Sequence, residues 1–224
     1  RERNEKNRGQ HAAVLENVEE DSLLHDEIAA WFLTLPLWLD LGGIRVVHAC
    51  WDPRAIEALR PHLDDGNRLP HYLVGDAATG HSNSYDADGN RPDANPIFQA
   101  VETILKGIEV KMPQGYRFED KYGVVRTSTR VAWWQGEGAT YRSAAVVAEE
   151  LRQSLPDIPL PIASVPGYDN EKPLFIGHYW QQGDPDLLTP KIACVDYSAC
   201  NDGNLVAYRW SGEQKLTPAN FFRA

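Results

Sequence analysis

The chain centres on Arg45-Val46-Val47-His48-Ala49-Cys50-Trp51-Asp52-Pro53, an apolar run that ends in a histidine and then turns. Downstream, Pro173-Leu174-Phe175-Ile176-Gly177-His178-Tyr179-Trp180 repeats the arrangement. Short apolar runs bounded by turn residues are typical of buried strands, and ligands commonly bind where such strands end. Imidazole is a good ligand for zinc, iron and nickel. We therefore interpret His48 and His178 as two ligands of a metal site that needs further carboxylate or amide ligands.

The residues before His48 predict a β-hairpin. Apolar side chains alternate over residues 37–41 and again over 44–48, and Gly42-Gly43 supplies a two-residue turn between them. The turn sets the register of the return strand, so a slip of one residue would point His48 to the other face. Asp52 followed by Pro53 then predicts the N-cap and first residue of a short helix.

The rest of the chain mixes helical and strand patterns around one long irregular segment. Helices are predicted over 24–35, 55–59, 96–105 and 141–155, and further strands over 108–112, 116–118, 124–134, 192–197 and 205–210. Between 61 and 96 the periodicity is lost among Asp, Gly, Asn, His and Pro residues. Such a stretch inside a domain predicts a functional lid or a mobile insertion.

Composition narrows the classes of partner. The chain has 22 basic and 32 acidic residues and a net charge of −10, which disfavours binding to a nucleic-acid backbone. No apolar run is long enough to span a membrane, so no membrane partner is expected. The three cysteines lack metal-knuckle spacing and do not form an even disulfide set. They favour a reducing compartment, and we expect a cytoplasmic protein.

Several blocks resemble the calcineurin-like metallophosphoesterases. Leu35-Pro36-Leu37-Trp38-Leu39-Asp40, followed by Arg45–Ala49, resembles the "LP … HA/HG" block of bacterial members related to diadenosine tetraphosphatase and the serine/threonine phosphatases. Phe175-Ile176-Gly177-His178 resembles their last metal motif, and residues 192–197 with 203–208 resemble their closing strand pair. The resemblance covers the ends of the chain well and residues 61–170 poorly.

This resemblance implies an α+β fold, a metallophosphatase-like β-sandwich flanked by helices. It implies two divalent metal ions (Mn, Fe, Zn or Ni) about 3.5–4 Å apart that clamp a phosphate and supply its nucleophile. His48 and His178 would both bind the same ion. The substrate would be a phosphorylated small molecule, a nucleotide or a phosphoprotein. Trp180 stands where many relatives place a second histidine, which favours the branch with a single histidine in this motif.

The DxH, GDxxDRG and GNHE motifs of that family do not occur in these 224 residues. In the family they lie upstream of the LP block and supply the aspartates, the asparagine ligand and the general acid. We therefore expect residues 1–224 to be the C-terminal portion of a single metallophosphoesterase domain, incomplete at its N-terminal side, with an irregular insertion at about 61–96. Alone, this portion is expected to be inactive, and its catalytic residues cannot be assigned from these residues.

A phosphate site also needs cationic donors. Arg130 is the first candidate and Arg126 the second, because both lie between the two histidines on the same face of the strand predicted over 124–134. His71 and His81 in the insertion are weaker candidates for lining a lid. A cysteine–histidine nucleophile from Cys50 is disfavoured, since a turn would have to bring the thiol round to His48. Two alternatives stay open: a degenerate, non-catalytic binding domain, and a mononuclear metal hydrolase completed by acidic loop residues.

Overall fold

The computed structural model describes residues 8–9, 12–80, 84–91, 95–120, 123–199 and 203–224. Within them the α-helices are α1 Ala12–Leu15, α2 Leu23–Leu33, α3 Pro53–Leu59, α4 Val74–Ala78, α5 Pro96–Lys106, α6 Tyr141–Ala144 and α7 Glu149–Ser154. The strands are β1 Trp38–Asp40, β2 Arg45–Val47, β3 Ser84–Tyr85, β4 Glu109–Lys111, β5 Phe118–Glu119, β6 Val125–Arg126, β7 Ser128–Arg130, β8 Leu174–Ile176, β9 Leu187–Thr189, β10 Ile192–Cys194, β11 Val206–Tyr208 and β12 Phe221–Arg223. Helices and sheets of both strand directions confirm the α+β class.

A five-stranded mixed sheet in the order β1-β2-β8-β10-β9 forms the centre of the fold. β2 pairs in parallel with β8, and β8 pairs in parallel with β10. β1 and β9 close the two edges as antiparallel partners of β2 and β10. Because β2, β8 and β10 run in the same direction, the residues that follow them meet at a single edge of the sheet.

The predicted hairpin is confirmed. β1 and β2 pair in antiparallel register with Trp38 opposite Val47, and the Leu41 amide donates to the Ile44 carbonyl at 2.9 Å across the turn. Gly43 is needed for a second reason, because a Cβ at this position would lie 2.4 Å from the Trp210 ring. The turn is therefore fixed both by its own chemistry and by the C-terminal segment that packs on it.

The two faces of the central sheet are covered differently. One face joins the main hydrophobic core, in which α3, α5 and the buried Trp133 pack. On the opposite face, Phe175 and Ala193 contact side chains from the C-terminal β11–β12 hairpin, chiefly Tyr208 and Phe221. The last two strands thus pair with each other. The closing strand pair expected over 192–197 and 203–208 is therefore wrong, because β11 takes β12 and not β10 as its partner.

The strand predicted over 124–134 is also corrected. β6 pairs with β5 in a separate two-stranded ladder, whereas β7 joins β4 and β3 in a three-stranded sheet. Between them the Thr127 carbonyl accepts the Met112 amide at 2.8 Å. Arg126 and Arg130 consequently belong to different sheets and not to one strand face.

The described residues between 61 and 96, which leave out 81–83 and 92–94, contain more secondary structure than their composition predicts. α4 and β3 lie within this range, and β3 pairs in parallel with β4. Leu73, Ala77 and Tyr85 are buried in the core. A few widely spaced apolar side chains are enough to anchor the described part of this segment, and they are too sparse to create a periodic pattern.

The predicted helices are confirmed in part. Ser22 caps α2 and Asn95 caps α5, each accepting an amide hydrogen bond with its side chain. The helix predicted over 141–155 is instead two helices, because the Val146 amide donates to the Arg130 carbonyl at 2.8 Å and leaves the helical path. None of the described helices is both long and apolar enough to cross a membrane.

Arg45 links the β1–β2 hairpin to residues 169–171, which precede β8, through hydrogen bonds. Its buried guanidinium donates to Asp169 at 2.7 Å and Glu171 at 3.1 Å, and lies 4.8 Å from the centre of the Trp51 ring. We expect Arg45→Met to lower the free energy of unfolding by about 2 kcal/mol, because charge-assisted hydrogen bonds and stacking are lost.

Arg126→Met is the matched control, since it breaks a more exposed pair with Asp120 and should cost less than about 1 kcal/mol. Urea unfolding of both variants checks the difference. Equal costs would contradict a structural role for the buried guanidinium.

Candidate histidine-pair site

The parallel strands bring the two predicted histidines together. The Gly177 amide donates to the His48 carbonyl at 2.9 Å, which continues the β2–β8 pairing one residue past each strand. The imidazole centres of His48 and His178 lie 5.3 Å apart with a tilt of 53°. Two residues far apart in sequence therefore form one adjacent pair at the sheet edge where β2 and β8 end.

His178 is held in an unusual backbone conformation. Its φ angle is +63°, in the left-handed region that costs a residue with a Cβ roughly 1–2 kcal/mol. The Tyr179 amide donates to the Gly177 carbonyl at 2.7 Å, which closes the turn tightly around His178. Tyr179 then lies buried, with its ring centre 4.9 Å from that of Trp134 and the two rings nearly perpendicular at 82°. Strain of this kind is typical of sites where the surroundings impose a geometry.

A carboxylate lies beside the pair. Asp196, two residues after β10, accepts the His178 amide at 3.0 Å through Oδ2 and the Ser198 amide at 3.1 Å through Oδ1. Asp196 thus occupies the end of the third parallel strand, next to the ends that carry His48 and His178. Asp196 is not among the site residues predicted from the sequence. The signal was present, because Asp196 follows a buried apolar run just as the two histidines do.

Both imidazoles are neutral at pH 7. Desolvation lowers the pKa of His178 to about 4, and the positive charge of Arg130 and the neighbouring His48 act in the same direction. Desolvation also lowers the pKa of His48, although this residue is partly open to solvent and the charge of Asp196 opposes the shift. Neutral imidazoles keep the nitrogen lone pairs that bind metals.

The two imidazoles are placed as two ligands of a single metal ion would be. The His178 Nε2 atom is buried and has no hydrogen-bond partner among the described residues, which is costly unless a ligand satisfies it. Two imidazoles bound to one ion at about 2.0–2.1 Å and at angles near 90–110° have ring centres about 4.5–5.2 Å apart. The separation of 5.3 Å is close to this range.

The site lacks a complete donor set in the part of the chain that the structure describes. There, no group of three or more His, Cys, Asp and Glu side chains is arranged to hold a metal ion. The two histidines alone would leave coordination positions to be filled by other groups.

Of the two predicted arginines, Arg130 carries a positive charge that acts on His178 and helps to lower its pKa. Its Nε donates to the Lys106 carbonyl at 2.8 Å. Arg126 instead forms a 2.6 Å ion pair with Asp120 within the β5–β6 ladder. The geometry therefore favours Arg130 over Arg126 as a phosphate donor.

The weaker candidates are not brought into the pair. Cys50 is fully buried, and burial raises the pKa of its thiol well above the ordinary value, so it stays protonated. Asp52 caps α3 through the Arg54 amide. His71 is exposed in a short 3-10 turn, and His81 lies outside the described residues. A Cβ at Gly177 would make only ordinary contacts, 3.6 Å to the His48 carbonyl oxygen and 3.7 Å to the Asp196 Cβ. Close packing therefore does not explain why a glycine stands at position 177.

No protein-family model, curated protein or solved structure matches this chain.

The left-handed backbone at His178 predicts a reversal in the effect of glycine. At position 178 we expect glycine to be more stable than alanine by about 1 kcal/mol, because only glycine adopts this conformation freely. At position 48, which lacks a positive φ, alanine should be the more stable by about 0.5–1 kcal/mol. Chemical unfolding of the four variants measures both differences. The same order at both positions would contradict the backbone strain at His178.

Proposed function

We propose that this chain is part of a metal-dependent phosphoric ester hydrolase with two-metal chemistry, of the calcineurin-like class that its motifs resemble. The observation that supports the proposal is the pairing of His48 and His178 at the ends of adjacent parallel strands, with ring centres 5.3 Å apart. The motif resemblance requires these two histidines to bind one ion. Nothing in the composition or spacing of the motifs requires the two strands to be neighbours, so their adjacency is independent support.

In this proposal each residue has a separate task. His48 and His178 present neutral imidazole lone pairs to the same divalent ion, which is Mn, Fe, Zn or Ni. When bound, such ions polarise a phosphoryl oxygen and activate water. Arg130 binds the phosphate, because the two terminal nitrogens of its guanidinium make no hydrogen bond to the described residues. Arg126 is a second, less favoured phosphate donor, since Asp120 already binds it.

The other ligands and the general acid come, in this proposal, from DxH, GDxxDRG and GNHE motifs in a preceding segment. The substrate is a phosphorylated small molecule, a nucleotide or a phosphoprotein, and the protein is cytoplasmic. Neither nucleic acid nor a membrane is a partner. The two faces of the central sheet, one covered by helices and the other by the C-terminal hairpin, are compatible with a sandwich that further strands would complete.

A mononuclear metal hydrolase is the second candidate. It is favoured by one observation: the negative charge of Asp196 acts on His48, so the pair has an acidic surrounding. Two imidazoles and one carboxylate are a common donor set for a single catalytic metal. Acidic loop residues would supply that carboxylate, because Asp196 itself holds the His178 and Ser198 amides. In that case the chain would need no second ion.

The 224-residue chain is expected to bind Zn²⁺ through the histidine pair but not to hydrolyse p-nitrophenyl phosphate with added Mn²⁺. Isothermal titration calorimetry and the absorbance of nitrophenol measure the two properties. Robust turnover by this chain would contradict the need for upstream ligands, and a folded chain that binds no metal would contradict the site.

A longer form that carries the upstream motifs separates the two candidate functions. Elemental analysis should find two ions per active chain for the two-metal enzyme. One ion per active chain would support the mononuclear hydrolase.

A further inference from the structure

We propose that Asp196 is a positioning residue that holds His178 in its metal-binding conformation through the main chain, an inference that rests on the proposed function. His178 donates its amide to Oδ2 of Asp196 at 3.0 Å. A carboxylate that accepts a backbone amide in this way makes a charge-assisted hydrogen bond, which is stronger than a bond between neutral groups.

The backbone angles show where this hydrogen bond acts. Among described residues other than glycine, positive φ angles occur at Asp21, Asn67, Asn170, His178 and Ser198. Asp and Asn adopt this region comparatively easily. The last two residues are less usual, and both donate their amides to the Asp196 carboxylate. One side chain therefore stabilises the left-handed turns after both β8 and β10.

The main chain of Asp196 contributes a second link to the same loop. Its carbonyl accepts the Gln181 amide at 2.9 Å, three residues beyond His178. The loop that carries His178 is thus tied to Asp196 at two points, and one of them depends on the carboxylate. Without that acceptor the turn would lose its support while the β8–β10 pairing remained.

An acidic residue is suited to position 196 because it offers two acceptor oxygens. Each carboxylate oxygen accepts one amide, so both oxygens are needed. An asparagine offers a single acceptor oxygen, and its NH₂ group cannot accept a hydrogen bond from an amide. Asp196→Asn should therefore keep one of the two turns, whereas Asp196→Ala keeps neither.

The test compares Asp196→Ala and Asp196→Asn with a matched control in the metal-free 224-residue chain. Asp64→Ala is the control, because the Asp64 side chain also accepts two backbone amides, those of Gly66 and Arg68, both at 2.9 Å. The first measurement is the nuclear Overhauser effect between the rings of His48 and His178. The second is the affinity for Zn²⁺ by calorimetry.

Asp196→Ala is expected to lose the ring contact and to weaken Zn²⁺ binding by about tenfold or more, as is usual when a group that orients a ligand is removed. For Asp196→Asn, both the ring contact and the affinity for Zn²⁺ should be intermediate between those of Asp196→Ala and the unaltered chain. If the alanine variant does not fold, the asparagine variant is used for the comparison. The control should keep both the ring contact and the affinity.

The inference is overturned if the Asp196 variants keep both the contact between the two rings and the affinity for Zn²⁺. It is also overturned if Asp64→Ala loses the ring contact and the affinity to the same extent, because that would indicate a general loss of stability. If the unaltered chain binds no Zn²⁺ but the ring contact still depends on Asp196, the proposed function fails and the positioning role stands.

Discussion

Replacing either His48 or His178 with alanine is expected to lower the affinity of the chain for Zn²⁺ by about a hundredfold or more, since one metal–ligand bond is worth several kcal/mol and each 1.4 kcal/mol is tenfold. The reason is the pairing of the two rings, 5.3 Å apart, at a single point of the sheet edge. One imidazole alone cannot retain the ion.

The double variant tests whether both rings bind the same ion. If they do, removing the second histidine after the first should cost little more, because groups that act as a unit are not additive. Independent sites would give additive losses. His71→Ala is the control, because this histidine is exposed and lies in the short turn before α4. The affinity of this variant for Zn²⁺ should equal that of the unaltered chain. A comparable loss in His71→Ala would mean that Zn²⁺ binds the chain through surface histidines and not through the pair.

The contrast between the two arginines follows from the same geometry. In the metal-loaded chain, Arg130→Met is expected to weaken the binding of inorganic phosphate, whereas Arg126→Met should weaken it much less because Asp120 already binds that guanidinium. From the sequence, Arg130 ranks first and Arg126 second, but both are placed on one face of a single strand. They are four positions apart in a run with strand character and without Gly or Pro between them.

Local chemistry was sufficient to predict the elements that end at the histidines. The β1–β2 hairpin follows from alternation and Gly42-Gly43, and the caps of α3 and α5 follow from Asp52-Pro53 and Asn95-Pro96. Each histidine could be recognised because it ends an apolar run. These signals are contained within a few residues, so no knowledge of the tertiary structure was needed.

Pairings between distant segments could not be predicted in the same way. Residues 141–155 have the composition of one helix, but tertiary backbone pairing overrides that propensity where Val146 bonds to the Arg130 carbonyl. The choice of β12 as partner for β11 likewise depends on the apolar face of the central sheet that the hairpin covers. Asp196 follows an apolar run as the histidines do, which marks its place at a strand end, but its hydrogen bond to the His178 amide depends on a backbone conformation that the composition does not show.

Gly107→Ala is expected to be among the most destabilising single substitutions in the described part of the chain, at roughly 3–5 kcal/mol. Gly107 ends α5 with φ +78° and ψ −171°, a region that is essentially restricted to glycine. In addition, a Cβ at this position would lie 2.1 Å from the Tyr179 hydroxyl and 2.8 Å from its ring carbon Cζ. Backbone strain and overpacking therefore act together.

Gly107→Ala should also affect the histidine pair, and not only the stability of the fold. Tyr179 directly follows His178 and is buried against Trp134, so a displacement of its ring by the new methyl group would be transmitted to the histidine pair. We expect Gly107→Ala to weaken Zn²⁺ binding in whatever fraction of the protein remains folded. Urea unfolding and calorimetry measure the two effects.

Two further variants separate the causes. Gly115→Ala also places a Cβ at a positive φ but meets nothing within 4 Å, so it reports the backbone cost alone, about 1–2 kcal/mol. Tyr179→Phe removes the atom nearest to the new methyl group, and it should recover part of the loss when combined with Gly107→Ala. The coupling energy of this double-mutant cycle isolates the contact between the end of α5 and the histidine loop. If the two substitutions prove additive, the hydroxyl does not obstruct the methyl group, and the cost of Gly107→Ala must come from the backbone and from the ring carbons of Tyr179.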